Sequence, residues 1–378
     1  MRHPERVATT AIFLVNGLGI GAWAVEVPRI KESLGLSEPS LGIALFFFAL
    51  GALIAMPLAG KLAPLFGSGR ATALLAAAFA ITLPFPALVP NFPCLCVALL
   101  ALGAANGALD VSMNGHASAI EEHLQTPIMS SFHAAWSIGG LSGAAAGAAL
   151  QSAGMGIVSG LTFPDIVIAL VVISSTIFAL REVGPHALAS SSGFTLPSAR
   201  VMRLAALAFL AMLVEGAVAD WSAVYLRTNM SAHGGAAALG YSAFALSMAA
   251  CRLIGDVSVK RFGPRAVVGA GGLVTALGLV LVLGLPTLIT ACIGFALVGV
   301  GLSNIIPVIF SAAGRSTATP AVGVSMAATA GYAGFLIGPP LIGIAAGMVG
   351  LRLALCVLLL AAAIVCLFGR NAVTRPAT

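Results

Sequence analysis

The sequence predicts an all-α membrane protein, with twelve transmembrane helices in two six-helix bundles related by pseudo-twofold symmetry. Three observations predict it. Of the 378 residues, 60% are hydrophobic and 8% charged, and the mean hydropathy is +1.08. A soluble core beneath a polar skin cannot have that balance, so the surface itself must be apolar. Apolar runs of about 20 residues, the length a helix needs to cross the hydrocarbon of a bilayer, recur along the whole chain. The runs also repeat: pairs of residues recur at a nearly constant offset of 195–199 positions.

Span 1 covers 7–28. Arg2 and Arg6 precede it and Ala22-Trp23-Ala24 resembles a processing site, yet the run is too long for the apolar region of a signal peptide and a second span follows directly. Spans 2 to 6 then read 41–65, 70–90, 95–120, 129–154 and 157–180, separated by short breaks carrying charge, Pro or Gly. The stretch 181-REVGPHALASSSGFTLPSAR-200 is the one long polar segment and reads as a cytoplasmic linker. It divides an N-terminal bundle, 1–180, from a C-terminal bundle, 201–378. Spans 7 to 12 fall at 201–226, 237–260, 265–286, 288–313, 321–346 and 350–369.

The repeat pairs Gly17 with Gly216, Trp23 with Trp221, Leu41-Gly42 with Leu239-Gly240, Phe66-Gly67 with Phe262-Gly263, Gly103 with Gly299, and Gly143 with Gly338. Transporters are commonly built from such related halves. Glycines repeated every four residues, Gly139, Gly143 and Gly147 on span 5 and Gly103 with Gly107 on span 4, predict close helix contact. On span 11, Pro339-Pro340 predicts a broken helix.

With twelve spans and both termini inside, fourteen of the 18 Lys and Arg residues fall on the cytoplasmic side, against Arg29, Lys31, Arg227 and Arg352 outside. Basic residues stay preferentially on that side of short loops. The chain therefore reads as a multi-pass inner (plasma) membrane protein whose pI of about 9.3 reflects topology; nucleic acid is not an expected partner. The six scattered cysteines suggest neither a disulfide framework nor a metal site. No nucleophile–base pair or soluble domain points to an enzyme or a sensor. No cofactor is expected, and the chain is expected to act as a monomer.

One stretch carries chemistry, 103-GAANGALDVSMNGH-116. Asn106, Asp110 and Asn114 are spaced four apart, which stacks them on one helix face. An ionisable residue at bilayer depth faces the protein interior or water and is a functional candidate by default. Burial in low dielectric favours the neutral carboxyl, so Asp110 reads as a proton-coupling site, with a hydrogen-bonded strut between helices as the alternative. Glu215 on span 7 is a second proton-coupling candidate, and Asp220 lies further out. Asn16 and Asn304 sit near mid-depth on spans 1 and 10, as ligands or as interhelical glue. His133, near the cytoplasmic end of span 5, reads as a cavity residue ahead of His116. Trp23 and Trp221 suit interface anchors or gates.

With these residues in place, the chain resembles the major facilitator superfamily over nearly its whole length. The commonest motif of that family follows spans 2 and 8 and runs Gly, three residues, Asp-Arg, one residue, Gly, then basic residues. The first copy, 60-GKLAPLFGSGR-70, has Pro64-Leu65 where Asp-Arg would stand. The second, 252-RLIGDVSVKRFGPR-265, keeps Arg252, Asp256, Arg261, Gly263 and Arg265. Arg252 and Asp256 are spaced to pair on one helix face, and the resemblance makes Arg252, Asp256 and Arg261 a conformational latch.

Within the superfamily the chain looks most like the fucose permease branch, which carries Leu-acid-x-x-x-Asn on span 4, as Leu109-Asp110 and Asn114 do here. The resemblance makes Asp110 the proton-coupling carboxylate. In 129-MSSFHAAWSIGG-140 it places His133 and Trp136 where the branch holds its solute. The second acid of the branch, on span 1, is Ala24 here, with Glu26 two residues on. The expectation is a secondary transporter that moves a small polar solute, sugar-like or another metabolite, by alternating access. Proton symport is coupled at Asp110, and Asn16, Asn106, Asn114, His133, Trp136 and Asn304 contact the solute. Proton-coupled efflux of amphipathic compounds is the competing reading; the absence of a Gly-Pro pair on span 5 counts mildly against it.

Overall fold

In a computed structural model the chain is almost wholly helical. The structure describes residues 3–36, 38–178, 197–230, 239–285 and 287–373. The linker read at 181–200 lies outside the described residues except for its last four. Two compact units emerge. The first comprises 1–125, 132–195 and 317–325; the second comprises 126–131, 196–316 and 326–378.

Spans 1 to 6 are α1 (Pro4–Ser33), α2 (Glu38–Phe66), α3 (Ser68–Thr82) continued by a single turn α4 (Phe85–Leu88), α5 (Phe92–Leu124), α6 (Met129–Ser152) and α7 (Ile157–Phe178). Spans 7 to 12 are α8 (Ala199–Asn229), α9 (Leu239–Leu253) running on into the start of α10 (Gly255–Gly284), the remainder of α10, α11 (Leu288–Leu302) with α12 (Ile305–Gly314), α13 (Pro320–Val349), and α14 (Leu351–Ala354) with α15 (Cys356–Ala372). Among the described residues, ten segments are long and apolar enough to cross a membrane; α6 falls outside that set and Leu239–Leu253 is shorter. Helices are the element that satisfies its own backbone where no water is present.

Several boundaries differ from the sequence reading. The short break expected at 261–264 is a tight turn, in which Gly263 takes φ 78°, ψ 158° and separates spans 8 and 9 inside Gly255–Gly284. Span 8 is interrupted at Ile254 and span 10 at Ser303-Asn304. Span 11 was expected to break at Pro339-Pro340, yet α13 runs through them. Neighbouring helices make proline tolerable inside a membrane helix, because the few backbone groups it frees find other partners.

The repeat is written into the contacts. On α5, a Cβ at Gly103 would overlap the Phe48 carbonyl of α2; on α11, one at Gly299 would overlap the Phe244 carbonyl of α9. Gly143 packs on the Leu18 carbonyl, and Gly338 on that of Leu213. Two turns repeat as well: Gly67 and Gly263 have φ of 86° and 78°, and Gly154 and Gly350 have 75° and 82°. Only glycine takes this left-handed region freely. Each half thus reuses the same close approaches of spans 1 on 5, 2 on 4, and their counterparts.

Those approaches are testable. Gly143→Leu would force α6 off α1, at a cost of about 1–3 kcal/mol or more for overpacking, and should lower the thermal midpoint in detergent. Gly347→Ala, where nothing lies within 4 Å, should leave it unchanged or raise it slightly, since alanine gains up to about 1 kcal/mol over glycine in a helix. Equal midpoints for the two variants would contradict the packing.

Candidate functional site: a polar wall on spans 1, 4 and 5

Six of the residues singled out from the sequence meet in the first unit. Asn16 on α1 donates from Nδ2 to Asn106 Oδ1 on α5 at 2.9 Å, and Trp136 Nε1 on α6 donates to Asn16 Oδ1 at 2.9 Å. One turn further along α5, Asn114 Nδ2 donates to the Asp110 carbonyl at 2.9 Å and to Asp110 Oδ1 at 3.1 Å. His133 Nε2 stands 3.1 Å from Asn114 Oδ1. The four-residue spacing stacks the α5 members, and the glycine contacts bring α1 and α6 close enough for their side chains to meet.

The hydrogen bonds fix the protons. A backbone carbonyl only accepts, so the amide NH2 of Asn114 must face the Asp110 carbonyl, and its oxygen must face His133. That oxygen also only accepts. His133 therefore carries a proton on Nε2 and donates. Phe13, whose ring centroid lies 5.7 Å from that of His133, packs against the imidazole. The row His133, Asn114, Asp110 thus runs donor to acceptor and ends on Oδ1 of the carboxyl. Asp110 Oδ2 is buried without a hydrogen-bond partner. An unpaired buried polar atom costs about 1–3 kcal/mol, and Oδ2 is left with an acceptor capacity that no hydrogen-bond donor among the described residues fills.

Glu26, close to where the fucose permease branch has its second acid, is wholly buried and already engaged. Arg29 Nη1 lies 3.2 and 3.1 Å from its two oxygens, and Arg29 Nη2 donates to the Met155 carbonyl at 2.8 Å. Gln151 Nε2 adds a bond to the Val25 carbonyl. This clamp ties the end of α1 to the α6–α7 turn. Sequence spacing did not reveal it, because Gln151 and Met155 are 125 or more residues away. Ala24 is exposed. Trp23, read as an interface anchor or gate, is buried in the first unit. His116 is buried and bonded through Nδ1 to Ser68 Oγ at the start of α3, 2.8 Å away.

The second unit holds the others. Glu215 on α8 faces Arg252 on α9, with Oε1 and Nη2 3.7 Å apart, and Arg252 Nε donates to the Ser303 carbonyl at 3.2 Å. Arg252 is almost fully buried, so its charge depends on that carboxylate. The expected face shared by Arg252 and Asp256 is broken by the non-helical Ile254 between them. Asp256 instead receives the Ser131 backbone N–H at 3.1 and 3.2 Å, capping the first turn of α6. Orphan N–H groups and the positive end of the helix dipole favour a carboxylate there. Asn304, expected on the solute, lies at the break in span 10: its Nδ2 donates to the Cys251 carbonyl at 3.2 Å and its side chain abuts Gly255. Arg261 is exposed, with its guanidinium 5.4 Å from the Phe262 ring centroid.

A chain of repeated helical halves whose apolar helices enclose a polar wall has the form of a multi-pass membrane protein. The sequence profile of the Major Facilitator Superfamily matches residues 9–258, and the chain belongs to that family. An uncharacterized MFS-type transporter of Yersinia pestis is 36% identical over 359 residues, covering 94% of this chain and 93% of that protein. The crystal structure of FucP in the outward conformation superposes with a TM-score of 0.83 at 15% identity, covering 98% of each chain. A second structure, of the E. coli fucose:proton symporter FucP, gives 0.82 at 16% identity over 99% of this chain and 100% of that one. The fold is the major facilitator fold, and the protein is a multi-pass secondary transporter of a small solute. Members of this superfamily are generally carriers and not enzymes.

The cap on α6 predicts a specific loss. Asp256→Ala removes a helix N-terminal acceptor worth about 1 kcal/mol and should lower the thermal midpoint. Asp256→Asn, which keeps an acceptor oxygen without the charge, should recover part of it. A midpoint indifferent to both would remove the cap from the stability of this unit.

Proposed function

We propose that the protein is a proton-coupled symporter of a small polar solute, with Asp110 as the proton site. The inner membrane with both termini cytoplasmic is its proposed setting. The observation that supports this reading is the unpartnered Oδ2 of Asp110 beside a row of amides. Oδ1 is committed as an acceptor by Asn114, so the coupling proton resides on Oδ2. Asn16, Asn106, Asn114, His133 and Trp136 offer amide, imidazole and indole groups that bond either carboxyl form and meet solute hydroxyls. The neutral wall crosses between states in alternating access; the ionised carboxyl forms when the wall opens to a less acidic side.

Glu215 is a second proton-coupling group in this reading, held by Arg252. Arg252, Asp256 and Arg261 bias the conformational balance without contacting solute. Asn304 contributes through the break in span 10.

A thermal-shift screen of sugars, polyols and small acids identifies the solute, because a ligand that binds the folded state raises its apparent stability. In liposomes, one pH unit should then drive up to about tenfold accumulation for one proton per solute. Asp110→Asn, which imitates the protonated form, should abolish accumulation and keep counterflow exchange. If that variant still accumulates solute fully, Asp110 is not the coupling group. If it instead loses expression and stability while coupling in the surviving protein is unaltered, the residue is a strut.

A further inference from the structure

A further groove lies away from the residues of the polar wall. It lies within the second unit, where spans 8, 9 and 10 meet, and encloses about 450 Å³. Its lining is almost wholly apolar: Ile254 and Phe262 form one side, Val267 and Val274 another, and Val300 a third. Ile254, Phe262 and Val300 are exposed, so the groove opens on the outer surface of the unit. The close pairing of Gly271 with the Gly301 carbonyl brings spans 9 and 10 together as its floor. From Ala266 at the mouth to Val274 the helix rises eight residues, about 12 Å at 1.5 Å per residue. One leaflet of hydrocarbon is about 15 Å deep, half of the roughly 30 Å core. The groove is therefore about as deep as a lipid acyl chain lies.

The mouth is cationic. Lys260, Arg261 and Arg265 flank the lining residues Phe262 and Ala266 in sequence, and all three are exposed. The Arg261 guanidinium sits over the Phe262 ring, 5.4 Å from its centroid, which places one of these charges on the rim itself. Among the described residues none of the three makes an ion pair. The carboxylate one turn up the helix, Asp256, is engaged by the Ser131 N–H. Three uncompensated cations above an apolar slot of one leaflet's depth complement one occupant: a phospholipid with an anionic headgroup.

We infer that this groove is a specific site for an anionic phospholipid, with one acyl chain between spans 8, 9 and 10 and the phosphodiester on Lys260, Arg261 and Arg265. Basic pockets between membrane helices near the interface bind lipid headgroups by this combination. The bound lipid bridges the Gly263 kink, because its headgroup contacts both sides of it and its chain contacts both helices. The site is independent of which solute is carried and of the role of Asp110.

The test is native mass spectrometry of the full-length protein, released from mixed micelles that contain equal amounts of phosphatidylglycerol and phosphatidylcholine with the same acyl chains. The wild type should retain phosphatidylglycerol over phosphatidylcholine by at least about tenfold, since each basic residue near such a headgroup adds a several-fold preference. Replacing the rim with Lys260→Gln, Arg261→Gln and Arg265→Gln should bring the two lipids to parity; these side chains are exposed, so the fold is kept. Ala270→Phe, which fills the groove from span 9, should lower retention of both lipids. Parity in the wild type, or a preference untouched by the rim substitutions, overturns the inference. So does retention untouched by Ala270→Phe, or displacement of the lipid by inorganic phosphate alone, which would define an anion site without an acyl groove.

Discussion

Hydrocarbon offers no hydrogen bonds, and the rest of the structure depends on that constraint. It makes every span a helix, because only a helix satisfies its own backbone. It also takes away the hydrophobic drive for helices to associate, since lipid tails are as apolar as leucine. Close packing and polar contacts must then hold the bundle together. Both are visible. Gly17, Gly139 and Gly143 lay α1 against α6 so closely that a Cβ would overlap backbone oxygen, Trp136 on α6 bonds Asn16 on α1 across that contact, and Asn16 in turn bonds Asn106 on α5. The glycines and the Trp136–Asn16 bond act on the same contact, because the glycines bring α1 and α6 together where that bond forms.

Charges inside the bundle obey the same constraint in two different ways. Arg252 and Glu215 meet each other, and Glu26 meets Arg29, so each charge is answered by its opposite. Asp110 has no cation among its bonded partners. Its neighbours are neutral amides and an imidazole that donates. An ion pair keeps both members charged, so it resists proton uptake by the acid and proton loss from the base. A carboxyl beside an amide donor keeps that hydrogen bond with or without its proton, because Oδ1 accepts in both forms. That difference in environment separates Glu26, held by a guanidinium, from Asp110, held by an amide.

Much of this was legible in the sequence, and the limit has a physical origin. The wall was readable because its α5 members are four residues apart, and periodicity is a property of a single helix. The repeat was readable because glycine is required where backbones touch, so Gly103 and Gly299, or Gly143 and Gly338, recur together. The halves also share the turns at Gly154 and Gly350, a pair at the same offset as Phe66-Gly67 and Phe262-Gly263 that the sequence reading passed over. Contacts between distant segments were not readable. Glu26 with Gln151, Arg252 with Glu215, and Asp256 with Ser131 join positions whose separation follows no period. The breaks at Ile254 and Ser303 carry neither Gly nor Pro at the break itself.

The broken spans explain why Arg252 and Asp256, four residues apart, do different work. On an unbroken helix both would lie on one face and could neutralise each other. The non-helical Ile254 turns Asp256 toward the first turn of α6 and leaves Arg252 directed at Glu215 and the Ser303 carbonyl. Asn304 occupies the matching break in span 10 and holds the Cys251 carbonyl, so the two interruptions are bonded to each other. Gly255 is small because the Asn304 side chain fills the space a Cβ would take. One local departure from helical geometry thereby gives a single charged motif two sets of partners: the arginine meets the half-buried acid of span 7, and the aspartate meets a helix terminus.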